Sequence, residues 1–179
     1  MDSLGRLTIL CPPPAEPWPP ADGLPGDEVR LPSAYSELVH AYGPGQFDEF
    51  LSLYTPRCTN PFFDLWWNSE KSAEILARKE IPAIRAELAL LGMRPEQLIQ
   101  WGGTDNADSL FWIPAGEPDR WSTLIVEAGQ LSHTVVPGTV PDLLLGLLTG
   151  TLECPVFPED FPSPSPEFLG LTELDRHDN

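Results

Sequence analysis

Apolar positions along the chain recur with helical spacing in some stretches and gather into short strand-like runs in others. Ser3 to Leu10 reads as a short helix with Ser3 as its cap. After Leu31-Pro32, a helix opens at Ser33: Tyr35, Leu38, Val39 and Tyr42 share one face, and Gly43 is the stop. Pro44-Gly45 turns the chain. Phe47 to Thr55, aromatic and aliphatic between turn signals at Gly45 and Pro56, predicts one strand. Asn60-Pro61 starts a second helical region. From Ser69 to Gly92 the set Ile75, Leu76, Ile81, Ile84, Leu88 and Leu91 keeps a helical period. Pro82 interrupts it, so the spacing predicts a bent helix or two successive ones.

Four short apolar runs follow, Leu98 to Trp101, Ser109 to Ile113, Trp121 to Glu127 and Leu131 to Val136. Their connections, Gly102 to Asp108, Pro114 to Arg120 and Ala128 to Gln130, are turn-rich and too short for parallel crossovers, so an antiparallel meander is expected. Trp101, Trp112 and Trp121 are expected in the core, with any buried indole N–H hydrogen-bonded. A last helix, Pro141 to Leu148, has a nearly continuous leucine face directed at that core and ends at Gly150. The class is α+β: a single domain, a largely antiparallel sheet flanked by helices, with Pro-rich N-terminal and C-terminal segments.

Eight of the 22 prolines lie between Pro12 and Pro32 and five between Pro155 and Pro166, which frames the folded part with extended chain. In the first cluster Trp18 is the expected anchor onto the domain. The apolar run at the N-terminus is too short for a signal sequence, Leu10 before Cys11 argues against a lipoprotein, and no run of about 18 apolar residues offers a membrane span. Three widely spaced cysteines, Cys11, Cys58 and Cys154, suit a reducing compartment. A cytoplasmic location is therefore expected.

Charge changes the picture most. The net charge is −17, which disfavours nucleic acid and favours basic protein partners. Residues 70–94 hold five bases and four acids and are nearly neutral, whereas residues 95–175 hold thirteen acids and one base, Arg120. That half projects a negative field, which serves either as a solubilising surface or as a docking face.

Catalytic chemistry finds little support. His40, in the last turn of its helix, complements the helix dipole; His133 lies on a strand as a core or rim histidine; His177 is in the tail. There is no Gly-x-Ser-x-Gly elbow, no cysteine beside an orienting base, no glycine-rich phosphate loop, and no Cys/His spacing suited to zinc. No catalytic, cofactor or metal residue is assigned. The one enzymatic alternative is a carboxylate-dependent hydrolase in which Asp105, Asp108 and Glu127 converge with His133.

The order of the short motifs resembles the SUKH superfamily, in its Smi/Knr-type branch. Leu31-Pro32-x-x-Tyr35, Tyr42-Gly43-x-Gly45-x-Phe47 and Phe50-Leu51 come first. Trp101-Gly102-Gly103-Thr104-Asp105-Asn106-Ala107-Asp108, Leu110-Phe111-Trp112 and Pro118-Asp119-x-Trp121 follow. Leu144 to Gly150 and Cys154-Pro155-Val156-Phe157-Pro158-Glu159-Asp160-Phe161-Pro162 close the series. The resemblance covers residues 31–162, leaving 1–30 as a Pro-rich segment and 163–179 as an acidic tail. Ala107 stands where a glycine is expected; if the turn needs positive φ, Asn106 is the residue able to supply it. The resemblance implies a non-catalytic, protein-binding α+β domain of the kind found in bacterial immunity proteins, which neutralise nuclease or deaminase toxins. A regulatory or scaffold protein of the same family is the alternative. An acidic inhibitor suits a basic toxin. Loops present side chains without disturbing a sheet, so the candidate contacts are Asp105 and Asp108 in the first meander turn, Glu117 and Asp119 in the second, and Glu159 and Asp160 after the last helix.

Overall fold

In the computed structural model, which describes residues 1–16, 18, 29–129 and 132–171, the short apolar runs pair into one seven-stranded sheet. Strands β1 (Gly45–Phe47), β2 (Leu51–Leu53), β3 (Ile99–Thr104), β4 (Ser109–Ile113), β5 (Ser122–Val126), β6 (His133–Val136) and β7 (Phe168–Gly170) stand in the order β6-β5-β4-β3-β2-β1-β7. Every neighbouring pair is antiparallel. The expected meander is β3 to β6, although the start of its last run, Leu131, lies outside the described residues. Likewise Gln130, His177 and most of the first Pro-rich cluster lie outside them.

Both faces of the sheet are covered, which explains why its central strands read as continuous apolar runs. Alternation sends Trp101, Leu110, Trp112, Trp121 and Ile125 to one face, where they pack with helices α1 (Ser3–Leu10), α2 (Ser33–Tyr42) and α5 (Val140–Leu148). Phe111, Ile113, Leu124 and Val126 face the other way, against α3 (Leu65–Lys79) and α4 (Pro82–Leu90). The three core tryptophans are buried, and the indole N–H groups of Trp101 and Trp121 donate to Thr123 Oγ1 at 3.3 Å and to the Gly116 carbonyl at 3.1 Å. Leu143, Leu144, Leu147 and Leu148 of α5 enter the same core.

Several elements differ from the reading of the sequence. The single strand expected over Phe47 to Thr55 is a hairpin, because Asp48 and Glu49 adopt φ of 56° and 51° and reverse the chain without a glycine. Asn60 caps only a 3-10 turn, Pro61–Phe63; α3 starts after Asp64, whose Oδ1 accepts from Trp67 N at 2.7 Å. Pro82 separates two helices, with Glu80 left-handed between them. Strand β7 extends the sheet past residue 162, into the segment expected as a tail, and α1 places the fully buried Leu7 in the core from the segment expected before the domain. Gly45 permits that β7 pairing, since a Cβ there would meet the Leu169 carbonyl and come within 2.6 Å of the Phe168 ring.

Helix α1 is capped by Asp2, whose Oδ1 accepts from Gly5 N at 2.8 Å, and Ser3 serves elsewhere: its hydroxyl donates to Asp142 of α5. Asp142 also accepts from the Thr139 hydroxyl at 2.6 Å and the Thr139 N–H at 3.0 Å. The Ser3 bond first, and the Thr139 bonds with it, hold the Asp142 carboxyl below its ordinary value of 3.8. A carboxylate whose folded pKa is depressed contributes stability that is complete above its unfolded pKa and is lost as pH falls through the folded value. Stability followed from about pH 5 to about pH 2 is therefore expected to fall more steeply for the wild type than for Asp142→Asn. Urea unfolding at each pH checks this; parallel curves would refute the role of Asp142.

Candidate functional site: an acidic end of the sheet

Strand direction sorts the loops into two ends. The β1–β2 turn, the β3–β4 turn and the β5–β6 connection lie at one end, and the β4–β5 connection lies at the other. The six candidate contacts therefore do not form one face. Asp105 is exposed at the first end, where its Oδ1 accepts from Gln46 Nε2 at 2.9 Å. Glu159 and Asp160 are exposed on the segment that follows α5, and Asp160 shares a groove with Asn106 of the β3–β4 turn. Glu117 and Asp119 are at the opposite end.

Two of the six have structural duties instead. Asp108 is 3% exposed and staples its own turn: Oδ2 accepts from the Thr104 hydroxyl at 2.7 Å, and Oδ1 accepts from Ala128 N at 3.0 Å. Such a carboxylate is closed to a partner. Asp119 caps α2 from a distance, its Oδ1 accepting from Ser33 N at 2.5 Å and Ser33 Oγ at 2.8 Å. Those bonds, the backbone one foremost, hold its carboxyl below the ordinary value. The positive φ in the β3–β4 turn falls on Ala107, at 65°, and not on Asn106. The Ala107 N–H bond to the Thr104 carbonyl, at 2.9 Å, and the Asp108 staple hold this strained residue in place.

The acidic end is built around a groove of about 600 Å³. Its lining includes the carboxylates of Asp48, Glu49, Asp160 and Glu167, with Phe50 and Phe161, and it contains no lysine or arginine. Asp48 is fixed by Ser163, whose N–H and hydroxyl each donate to a separate carboxylate oxygen at 2.5 Å. The Asp48 N–H donates to the Glu167 carbonyl at 2.7 Å. Phe50 packs on Phe161 at 4.7 Å and on Phe157 at 5.4 Å between ring centroids, which fastens the segment carrying Glu159 and Asp160 to the hairpin. Asp48, Glu49 and Glu167 line this groove and were not singled out by the sequence reading. An acid pair inside Phe47-Asp48-Glu49-Phe50, out of place in an apolar strand, is the signal that could have found the turn.

The hydrolase constellation is not assembled. Asp105 is bonded to Gln46, Asp108 to its turn, Glu127 to the Ser132 N–H and hydroxyl at 3.1 and 2.9 Å, and His133 Nε2 lies 2.7 Å from Glu87 Oε2. His40 Nδ1 lies 3.0 Å from the Trp18 carbonyl, and the Trp18 N–H donates to the His40 carbonyl, so this histidine fastens the Trp18 anchor to α2. Burial, first of all, pushes the Cys11 thiol up to about 12, far from a reactive thiolate. Among the described residues no three His, Cys, Asp or Glu side chains are grouped to hold a metal ion. Among them, too, no helix is long and apolar enough to cross a membrane.

Fold and site together define an α+β domain with helices on both faces of an antiparallel sheet and a carboxylate-lined groove at one end. Comparisons with protein-family models, curated proteins and solved structures give no match for this chain.

Proposed function

We propose that this chain is a non-catalytic, cytoplasmic protein-binding domain that acts as an immunity protein, neutralising a basic toxin domain of the nuclease or deaminase kind through its acidic end. The observation that carries this reading is the groove itself. Four carboxylates line it with no base among them, and two aromatic rings supply apolar area for an anchoring side chain. The net charge of −17 adds long-range attraction for a cation-rich surface and raises the encounter rate. The resemblance of the Trp101 to Asp108 and Cys154 to Pro162 blocks to SUKH motifs supports the same class.

The test starts with capture of the partner from the source cells on the tagged, full-length protein. The captured protein is expected to be basic, to arrest growth when expressed alone, and to be harmless when this chain is co-expressed. A captured protein that is neutral, or that cells tolerate without this chain, would overturn the immunity reading.

A further inference from the structure

Helix α3, nearly neutral as a whole, sets two lysines and two apolar residues on one exposed row. Trp67, Lys71, Ile75 and Lys79 recur every four residues and so form one stripe, about 18 Å long at about 1.5 Å per residue. All are exposed, Trp67 to 40% and Ile75 to 43%. Lys71 and Lys79 have no ion-pair partner among the described residues, whereas the nearby Arg78 is paired with Glu74 at 3.6 Å. At the start of the helix Phe62, 68% exposed, meets the Trp67 ring edge-on at 6.0 Å between centroids. Partly exposed aromatics in edge-on contact, beside lysines with no ion-pair partner among the described residues, suit a binding surface.

At the far end of the stripe a cleft of about 260 Å³ opens between α3 and the meander. Ile75, Leu76 and Lys79 form one side, and Ala107, Phe111 and Val126 complete an apolar floor. It is sized for one aliphatic or aromatic side chain. Glu127 also lines the cleft, accepting from Ser132, so an incoming carboxylate is directed to the Lys79 side.

We propose that this stripe docks an acidic peptide segment of a partner protein, with carboxylates on Lys71 and Lys79 and one apolar side chain seated in the cleft. Charge complementarity selects the occupant. An anionic membrane or a nucleic acid would extend beyond the stripe and meet the field of a chain of net charge −17. A short segment experiences only charges within about one Debye length, roughly 8 Å at physiological salt; there Glu74 is paired with Arg78 and Glu80 with Arg85, so Lys71 and Lys79 face Glu70 as the remaining exposed acid of the helix.

The test is a selection of short random peptides against the full-length protein and against Lys71→Glu/Lys79→Glu. The wild type is expected to enrich peptides in which carboxylates flank a large apolar residue. Synthesised singly, these peptides should bind the double variant about tenfold more weakly or worse. The neutral variant Lys71→Gln/Lys79→Gln should show an intermediate loss, with urea unfolding of both variants unchanged. Enrichment of basic peptides alone, or equal binding by wild type and variants, would overturn the proposal. So would anionic vesicles, duplex DNA or a second copy of the chain binding through these lysines in place of the acidic peptides.

Discussion

Replacing Trp112 with alanine is expected to destabilise the domain by about 4 kcal/mol, the usual cost of truncating a fully buried tryptophan. The ring is 1% exposed and stands at the meeting point of the core: Tyr35 packs edge-on at 4.6 Å, Trp121 lies at 6.0 Å and Trp101 at 6.2 Å. The loss combines transfer of a large apolar surface with a cavity that the flanking indoles cannot close, since each is held by its own hydrogen bond. Set against a total of about 5–15 kcal/mol for a domain, it brings the protein close to unfolding. Urea denaturation followed by fluorescence reads the effect as a lower midpoint. Trp67→Ala, on the exposed face of α3, is the control and should cost under about 1 kcal/mol. Equal costs at the two positions would contradict the assignment of core and surface.

Asp108→Ala is expected to cost about 3 kcal/mol, because it removes a buried acceptor and leaves the buried Thr104 hydroxyl and the part-buried Ala128 N–H without it. The same change releases the staple that holds Ala107 at positive φ. Asp108→Asn keeps an acceptor oxygen and should cost about half as much. Chemical denaturation and binding, measured on the same variants, separate the two roles open to this residue. A buried staple loses stability and keeps its partner; a contact residue would do the reverse.

The meander was legible because its turns are spelled in glycine, proline and aspartate and its first three strands are buried on both faces. The β1–β2 hairpin was not, since Asp48 and Glu49 reverse the chain with side chains that seldom take positive φ, and what holds Asp48 there is Ser163, far away in sequence. Strand β7 was hidden for a related reason. Three residues after a run of prolines carry no pattern of their own, and their partner β1 lies about 120 residues earlier in the chain.

The acids of the site were partly readable. Asp105, Glu159 and Asp160 lie in loops and are exposed, as loop acids usually are. Asp108 differs from them only in where its oxygens point, which composition does not encode. The separation of Glu117 and Asp119 from the rest was available from the meander itself, because consecutive hairpin connections alternate between the two ends of a sheet. Asp119 then finds the N-terminus of α2 across a gap in sequence that no local spacing reveals.

The claim that the acidic end docks a basic partner is tested most directly by stopped-flow association of the captured partner across a salt series. The proteins compared are the wild type, Asp105→Lys/Asp160→Lys and Glu117→Lys. These side chains are exposed, so the variants should unfold within about 0.5 kcal/mol of the wild type. Association is expected to slow about tenfold in the double variant at low salt, to converge on the wild type as screening shortens the field to about 8 Å, and to change less than about twofold in Glu117→Lys. An association rate indifferent to salt, or one reduced as much by Glu117→Lys as by the double reversal, would contradict the account.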